Sequence, residues 1–77
     1  MIGERLNKAR KAKGLTAQQM AEKLGISIRT YRYYESDTNS PSFEILVPLS
    51  DILDISIDYL MGRDDFLKSH GVSFDGH

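Results

Sequence analysis

The sequence has no cysteine, only two prolines and no long apolar run. Without cysteine the chain has no disulfide, no thiolate metal site and no cysteine nucleophile. Its apolar runs are too short to span a bilayer, and no signal peptide opens the chain. Its 77 residues suffice for one small domain, near the lower size limit for a hydrophobic core that is stable without disulfides or bound metals. These absences predict a cytoplasmic protein with a single folded domain.

The sequence also lacks a recognisable set of catalytic residues. It has no glycine-rich phosphate loop, and both histidines, His70 and His77, lie beyond the segment that predicts a folded core. They flank Asp75, but incidental histidines in a surface tail explain this spacing better than a metal site does. We therefore expect no enzyme, no metal and no cofactor.

Charge is distributed unevenly along the chain. Residues 1–35 carry eight Lys and Arg against three Glu, whereas residues 36–77 carry two basic and eight acidic side chains. This asymmetry fits either two solvated faces of unequal charge or a domain that turns its basic half toward phosphates. The motif inside the basic half favours a nucleic-acid partner.

That motif is TAQQMAEKLGISIRTYRYYESD, residues 16–37, which predicts two short helices joined by a tight turn. Thr16 and Gln19 have the spacing of a capping box at the start of the first helix. Gly25 is placed to end that helix with a positive φ, because glycine has no Cβ to clash there. Ser27 is a suitable N-cap for the second helix. The stretch is a helix-turn-helix.

GLTAQQMAEKLGIS followed by TYRYYES resembles the Cro/repressor-type (XRE-like) helix-turn-helix family of bacteria and their phages. PSFEILVPLSDILDISIDYLMGR resembles the last two helices of that family, so the match covers roughly residues 2–63. The resemblance implies an all-α, compact five-helix lambda-repressor-like domain at residues 1–63, with the helix-turn-helix at 16–36. Residues 64–77 are expected to form a tail that is either disordered or held by a partner chain.

The remaining helices follow from periodicity and capping. The first should span residues 2–13, and the fourth about 42–53. Pro48 interrupts the fourth, which therefore either begins late or kinks at the proline. Asp54 tolerates the positive φ expected at the end of that helix. Ser56 should cap a short fifth helix.

The basic side chains of the first helix are expected to have two different roles. Arg5, Lys8, Lys11 and Lys13 are most simply a solubilising face. The resemblance implies that Arg10 pairs with Glu35 at the end of the recognition helix, with phosphate contact as a second role. An exposed pair of this kind would contribute only about 0–1 kcal/mol.

The second helix of the motif should turn Tyr31 and Tyr34 inward and present its other side to DNA. By register with the family, the base-facing positions are Ile28, Arg29, Arg32 and Tyr33. Arg29 is the leading candidate, because bidentate arginine–guanine pairing is the commonest specific contact. Arg32 would contact a base or a phosphate. For Ile28 and Tyr33, packing or simple exposure is an equal alternative.

Phosphate contacts are expected where the positive end of the first motif helix meets the DNA backbone. Ala17 stands where the family often has glutamine, so Gln18 or Gln19 would have to replace it. The loop at 36–42 has no Lys or Arg, which predicts weaker electrostatic affinity on that side. The expected phosphate contacts are Arg10, Thr16, Ala17, Gln18, Ser27, Ser40 and Ser42.

The resemblance implies a sequence-specific transcriptional regulator, acting as a repressor that binds double-stranded DNA at a near-palindromic operator as a homodimer. The dimer interface is expected at the fifth helix and the tail, formed by Tyr59, Phe66, Leu67, Val72 and Phe74. An alternative is an antitoxin-like module whose acidic half neutralises a partner protein. Tyrosine stacking on single strands is a further alternative, but core packing explains Tyr31 and Tyr34 more simply.

Overall fold

The computed structural model describes residues 2–62, which form five α-helices. The predicted five-helix, all-α architecture is confirmed. Within the described range, no helix is both long and apolar enough to cross a membrane. The expected tail at 64–77, with Phe66, Leu67, Val72 and Phe74, lies outside the described residues, as do the two histidines. The helices are α1 (Ile2–Ala12), α2 (Ala17–Leu24), α3 (Ile28–Glu35), α4 (Phe43–Leu53) and α5 (Ile57–Leu60).

The helix-turn-helix is built by the caps that its sequence predicted. The Thr16 hydroxyl accepts a hydrogen bond from the Gln19 amide at 3.1 Å, and the Gln19 side chain accepts one from the Thr16 amide at 2.8 Å. Gly25 ends α2 at φ 71°, and its N–H reaches the last-turn carbonyls of α2. The Ser27 hydroxyl caps α3 by accepting from the Thr30 amide at 3.1 Å. These local bonds set the angle between α2 and α3.

One apolar core joins all five helices. Because α2 and α3 contribute four of its buried side chains, the helix-turn-helix is held by the rest of the fold instead of standing alone. Burial of each Leu or Met side chain stabilises the fold by about 1.5–3 kcal/mol. The buried residues are Leu6, Met20, Ala21, Tyr31, Tyr34, Leu46, Leu49, Leu53 and Leu60.

Pro48 lies inside α4 and not in its first turn. The helix begins at Phe43, so the late start considered for it is wrong. A proline at this position cannot donate to the Glu44 carbonyl and costs about 3 kcal/mol in a helix interior. The helix persists because Leu46, Leu49 and Leu53 are buried around the proline. Asp54 ends α4 at φ 57°, as predicted.

The start of α1 docks closely against the end of α3. The Gly3 amide donates to the Asp37 carboxylate at 3.0 Å. A Cβ at Gly3 would lie 2.3 Å from the carbonyl oxygen of Glu35, closer than any Cβ contact in a folded protein. This approach of two backbones therefore requires glycine at position 3.

Replacement of Gly3 by alanine is expected to lower the free energy of unfolding by about 1–3 kcal/mol, because the clash is with backbone. Urea denaturation measures the change. Helix propensity alone predicts the opposite sign, since alanine in a helix is favoured over glycine by roughly 0.5–1 kcal/mol. Gly14→Ala serves for comparison, because nothing lies within 4 Å of a Cβ there and its φ of +72° alone opposes the change, so it measures backbone strain without a clash. A Gly3→Ala protein as stable as the parent contradicts the close approach.

Arg5 links α1 to α5 and is not part of a solubilising face. Its Nη1 donates to the Tyr59 carbonyl at 2.8 Å, and its guanidinium carbon lies 4.6 Å from the centroid of the Tyr59 ring. Both side chains are half-buried. The expectation of a solvated side chain at Arg5 is wrong, because the short α5 offers it a carbonyl and an aromatic face together. Lys8, Lys11 and Lys13 are exposed, as expected.

Candidate nucleic-acid interface

The outward side of α3 carries the four predicted base-contact residues. Positions 28 and 32, and likewise 29 and 33, are one helical turn apart and share a face. Arg29 and Arg32 are exposed, and Tyr33 is half-buried. Ile28 is also half-buried and packs against the core, so its side chain is only partly available to an outside partner. Arg29 and Arg32 are thus the most accessible side chains on this face.

Arg29 and Tyr33 are bonded to each other. The Arg29 Nε donates to the Tyr33 hydroxyl at 2.9 Å, and the guanidinium carbon lies 5.7 Å from the centroid of the tyrosine ring. The sequence predicts these two residues as separate DNA contacts. Their spacing of four positions within one helix could have indicated the pair.

The amino end of α2 offers backbone donors beside α3. The capping box engages Gln19 and the Thr16 hydroxyl, while the Gln18 side chain donates to the Glu22 carboxylate at 3.2 Å. The amides of Ala17 and Gln18 open the helix and have no partner within it. This end of α2 therefore attracts an anion through backbone N–H groups and the helix dipole, more than through side chains.

The predicted phosphate-binding serines differ in their availability. The Ser27 hydroxyl is engaged at the cap, since it also donates to the Thr30 hydroxyl at 2.9 Å. Ser40 and Ser42 are exposed, and Ser42 stands at the N-cap of α4 without making a side-chain cap bond. The loop thus presents hydroxyls without positive charge.

A polar cluster at the end of α3 holds α1 against the helix-turn-helix. Arg10 Nε lies 2.6 Å from one Glu35 oxygen and Nη2 3.3 Å from the other, so the two side chains form an ion pair. Asn7 Nδ2 donates to the same carboxylate at 2.8 Å, and the Tyr31 hydroxyl donates to it at 2.5 Å. Arg10 Nη1 also donates to the Leu15 carbonyl at 2.8 Å. All three nitrogens of the Arg10 guanidinium therefore donate hydrogen bonds within the domain.

The family resemblance predicts the pairing of Arg10 with Glu35 but not the other two donors, Asn7 and Tyr31. Asn7 lies three residues before Arg10, and Tyr31 four residues before Glu35, so helical spacing carried the signal. The side chains of Arg10 and Glu35 are only 12% and 14% exposed. The ion pair is therefore largely buried, unlike the exposed pair considered from the sequence.

The cluster shifts the pKa values of its members. Burial by itself would raise the pKa of Glu35, but the hydrogen bonds from Arg10, Asn7 and Tyr31 together outweigh it, and the pKa falls below its usual value. Hydrogen bonding to Glu35 raises the pKa of Arg10. Burial, followed by the hydrogen bond to Glu35, raises the pKa of the Tyr31 phenol. At neutral pH the cluster is a carboxylate surrounded by donors.

Stability is expected to fall in acid as Glu35 becomes protonated. The folded-state pKa lies below the unfolded value of about 4.3, so the stabilisation is fully present above that value. It is lost as the pH falls through the lower, folded-state pKa. Urea unfolding of the parent and of Glu35→Gln between about pH 7 and pH 2 isolates this effect from the other carboxylates. The two curves should converge in acid; curves that stay parallel contradict the assignment.

In this domain α3, with one exposed face, follows α2, a helix of the same length, through a glycine turn, and free amides lie beside it. This arrangement defines a helix-turn-helix protein. Comparison with known proteins agrees. The helix-turn-helix family model matches residues 6–60. The chain belongs to the Cro/repressor-type (XRE-like) helix-turn-helix family, as the resemblance predicted.

One relative is the cryptic phage CTXphi transcriptional repressor RstR of Vibrio cholerae, 50% identical over 62 residues, which are 80% of this chain and 55% of RstR. The biofilm regulator SinR in complex with DNA superposes with a TM-score of 0.73 at 34% identity, covering 79% of this chain and 98% of SinR. The P22 c2 repressor bound to a synthetic operator gives a TM-score of 0.77 at 30% identity, covering 83% and 97% of the two chains. The chain spans about half the length of several curated relatives that it matches.

Proposed function

We propose that this chain is a sequence-specific DNA-binding transcriptional regulator that acts as a repressor. The observation that carries the proposal is the outward face of α3, where Arg29 and Arg32 stand exposed one turn apart beside the open amino end of α2. A major groove admits one α-helix and distinguishes the four base pairs by their donor and acceptor edges. The DNA complexes of SinR and of the P22 c2 repressor support this function for the shared fold.

The proposed roles follow the accessibility of each group. Arg29 pairs with a guanine, and Arg32 contacts a base or the phosphate beside it. Tyr33 lies at the edge of the same face, and Ile28 offers the exposed part of its side chain to a thymine methyl. The amides of Ala17 and Gln18 receive one phosphate.

Further phosphate contacts are proposed at the edges of this surface, from the hydroxyls of Thr16, Ser40 and Ser42. Ser27 and Arg10 are weaker candidates, because the cap and the Glu35 cluster already use their donors. Without Lys or Arg in the 36–42 loop, most of the electrostatic attraction must come from the basic first half of the chain.

The proposed operator is near-palindromic and is bound by a homodimer, with residues 1–63 as the DNA-binding domain. One α3 buries little surface, whereas two half-sites about 34–36 Å apart multiply specificity. Tyr59 is the proposed interface residue within the described range. The regulator would block transcription sterically, and its place of action would be the cytoplasm, where operator DNA lies.

Selection from a randomised duplex library tests this function. The expected result is an enriched inverted repeat whose half-sites are about one helical turn apart, bound with a steep salt dependence. Salt-sensitive binding without any enriched sequence would reduce the activity to electrostatic adhesion. Absence of binding would overturn the proposal.

A second candidate is an antitoxin-like protein that neutralises a partner protein. Three large apolar side chains, Phe43, Val47 and Met61, are exposed on α4 and after α5, with Phe43 69% accessible. They lie in the acidic half of the sequence, which suits a basic partner with an apolar centre. Co-purification of one basic protein from the native host, lost on Phe43→Ser, would favour this function.

A further inference from the structure

We propose that Tyr33 is a positioning residue that holds the Arg29 guanidinium in the orientation for pairing with guanine. The inference rests on the proposed DNA-binding function and goes beyond it by assigning the two residues to one recognition unit. Its basis is the hydrogen bond from Arg29 Nε to the Tyr33 hydroxyl, 2.9 Å long, on the exposed side of α3. Neither residue has another hydrogen bond partner for its side chain within residues 2–62.

The bond decides which edge of the guanidinium is left for DNA. An arginine side chain has five N–H donors in a planar fork. Once Nε donates to Tyr33, the paired donors that remain free are on Nη1 and Nη2. Guanine offers N7 and O6 as adjacent acceptors in the major groove, which match two parallel N–H groups. The Arg29–Tyr33 pair therefore favours end-on, bidentate pairing over pairing through Nε.

The tyrosine also reduces the freedom that Arg29 loses on binding. An exposed arginine samples many rotamers, and ordering it at an interface opposes association. Tyr33 is half-buried and so provides a fixed anchor one helical turn away. Because its hydroxyl accepts from Arg29, its own proton faces away from the guanidinium.

The test compares the parent with Tyr33→Phe, Arg29→Ala and the double variant. Each is titrated against the duplex selected from the library and against a duplex in which the guanine assigned to Arg29 is replaced. Phenylalanine keeps the ring and removes only the hydroxyl. Tyr33→Phe should weaken binding to the selected duplex by about three- to tenfold, the range expected for the loss of one solvent-exposed hydrogen bond. It should weaken binding to the altered duplex much less.

The double variant separates positioning from direct contact. If Tyr33 acts through Arg29, the hydroxyl deletion has no effect once Arg29 is alanine. A Tyr33→Phe effect that persists undiminished in the Arg29→Ala background overturns the proposal and assigns the hydroxyl to DNA itself. Tighter binding by Tyr33→Phe, or unchanged guanine preference, also overturns it. Each of these outcomes leaves DNA binding by the parent intact, whereas failure of the parent to select any site refutes the proposed function instead.

Discussion

Replacement of Glu35 by alanine lowers the free energy of unfolding by about 3 kcal/mol, the cost of breaking a largely buried ion pair from one side. The change leaves the Arg10 guanidinium and the hydroxyl of the fully buried Tyr31 without their shared acceptor. A domain of this length has a total stability of roughly 4–12 kcal/mol. The variant is therefore expected to be near the limit of folding at 37 °C or beyond it. Thermal and urea denaturation measure the loss.

Glu22→Ala is the matched control for this prediction. Glu22 is exposed, and its carboxylate receives one exposed bond from Gln18 at 3.2 Å. Its removal should change stability by no more than about 0.5 kcal/mol. If Glu35→Ala proves as mild as Glu22→Ala, the cluster does not hold α1 to α3. The additional variant Arg10→Met, which removes the charge but keeps much of the packing, should be destabilised less than Glu35→Ala.

Replacement of Arg29 by alanine abolishes the preference for one guanine in the operator and weakens binding to the selected duplex. A bidentate arginine–guanine pair contributes about 1–3 kcal/mol of discrimination, which corresponds to roughly 5- to 150-fold in affinity. If two protomers occupy an inverted repeat, the loss of binding free energy should be twice as large. Fluorescence anisotropy with the selected duplex and its single-base variants measures both changes.

Lys8→Ala is the control for charge alone. Lys8 is exposed on α1, and its replacement by alanine removes one positive charge, as the replacement of Arg29 does. Its replacement should affect binding to all sequences equally and only slightly, because Lys8 is not among the residues proposed to contact DNA. If Arg29→Ala also weakens every duplex equally, then Arg29 contacts phosphate, and the base-reading role belongs elsewhere on α3.

The helices were predictable because their starts and ends are specified locally. Thr16 with Gln19, Gly25, and Ser27 each determine backbone conformation within four residues, and the structure contains all of these caps. Asp54 at positive φ is likewise a single-residue preference. Local chemistry of this kind needs no knowledge of the tertiary fold.

Several features that the sequence did not reveal depend on contacts between distant segments. Gly3 meets Asp37 and Glu35 across more than thirty residues, and Arg5 meets Tyr59 across fifty-four. Pro48 stays inside α4 because buried leucines outweigh a local rule. No periodicity within one helix encodes such approaches, so Arg5, whose side chain was assigned to solvent, was found bonded.

In the candidate site, too, some features follow from local sequence and others depend on the assembled fold. The outward direction of Arg29 and Arg32 follows from the spacing of the buried Tyr31 and Tyr34, and exposure of both arginines matches it. The partial burial of Ile28 depends on what packs beneath the turn, which only the assembled fold supplies. The tail residues proposed for dimerisation lie outside the described range and stay a prediction.

The central claim is that the face of α3 and the amino end of α2 form the DNA-binding surface. The most direct measurement is a titration of ¹⁵N-labelled protein with the selected duplex, followed by amide chemical shifts. The largest changes should fall at Ile28, Arg29, Arg32 and Tyr33, together with Ala17 and Gln18. Changes concentrated instead at Phe43, Val47 and Met61, with α3 unaffected, would contradict the claim and place the functional surface on α4.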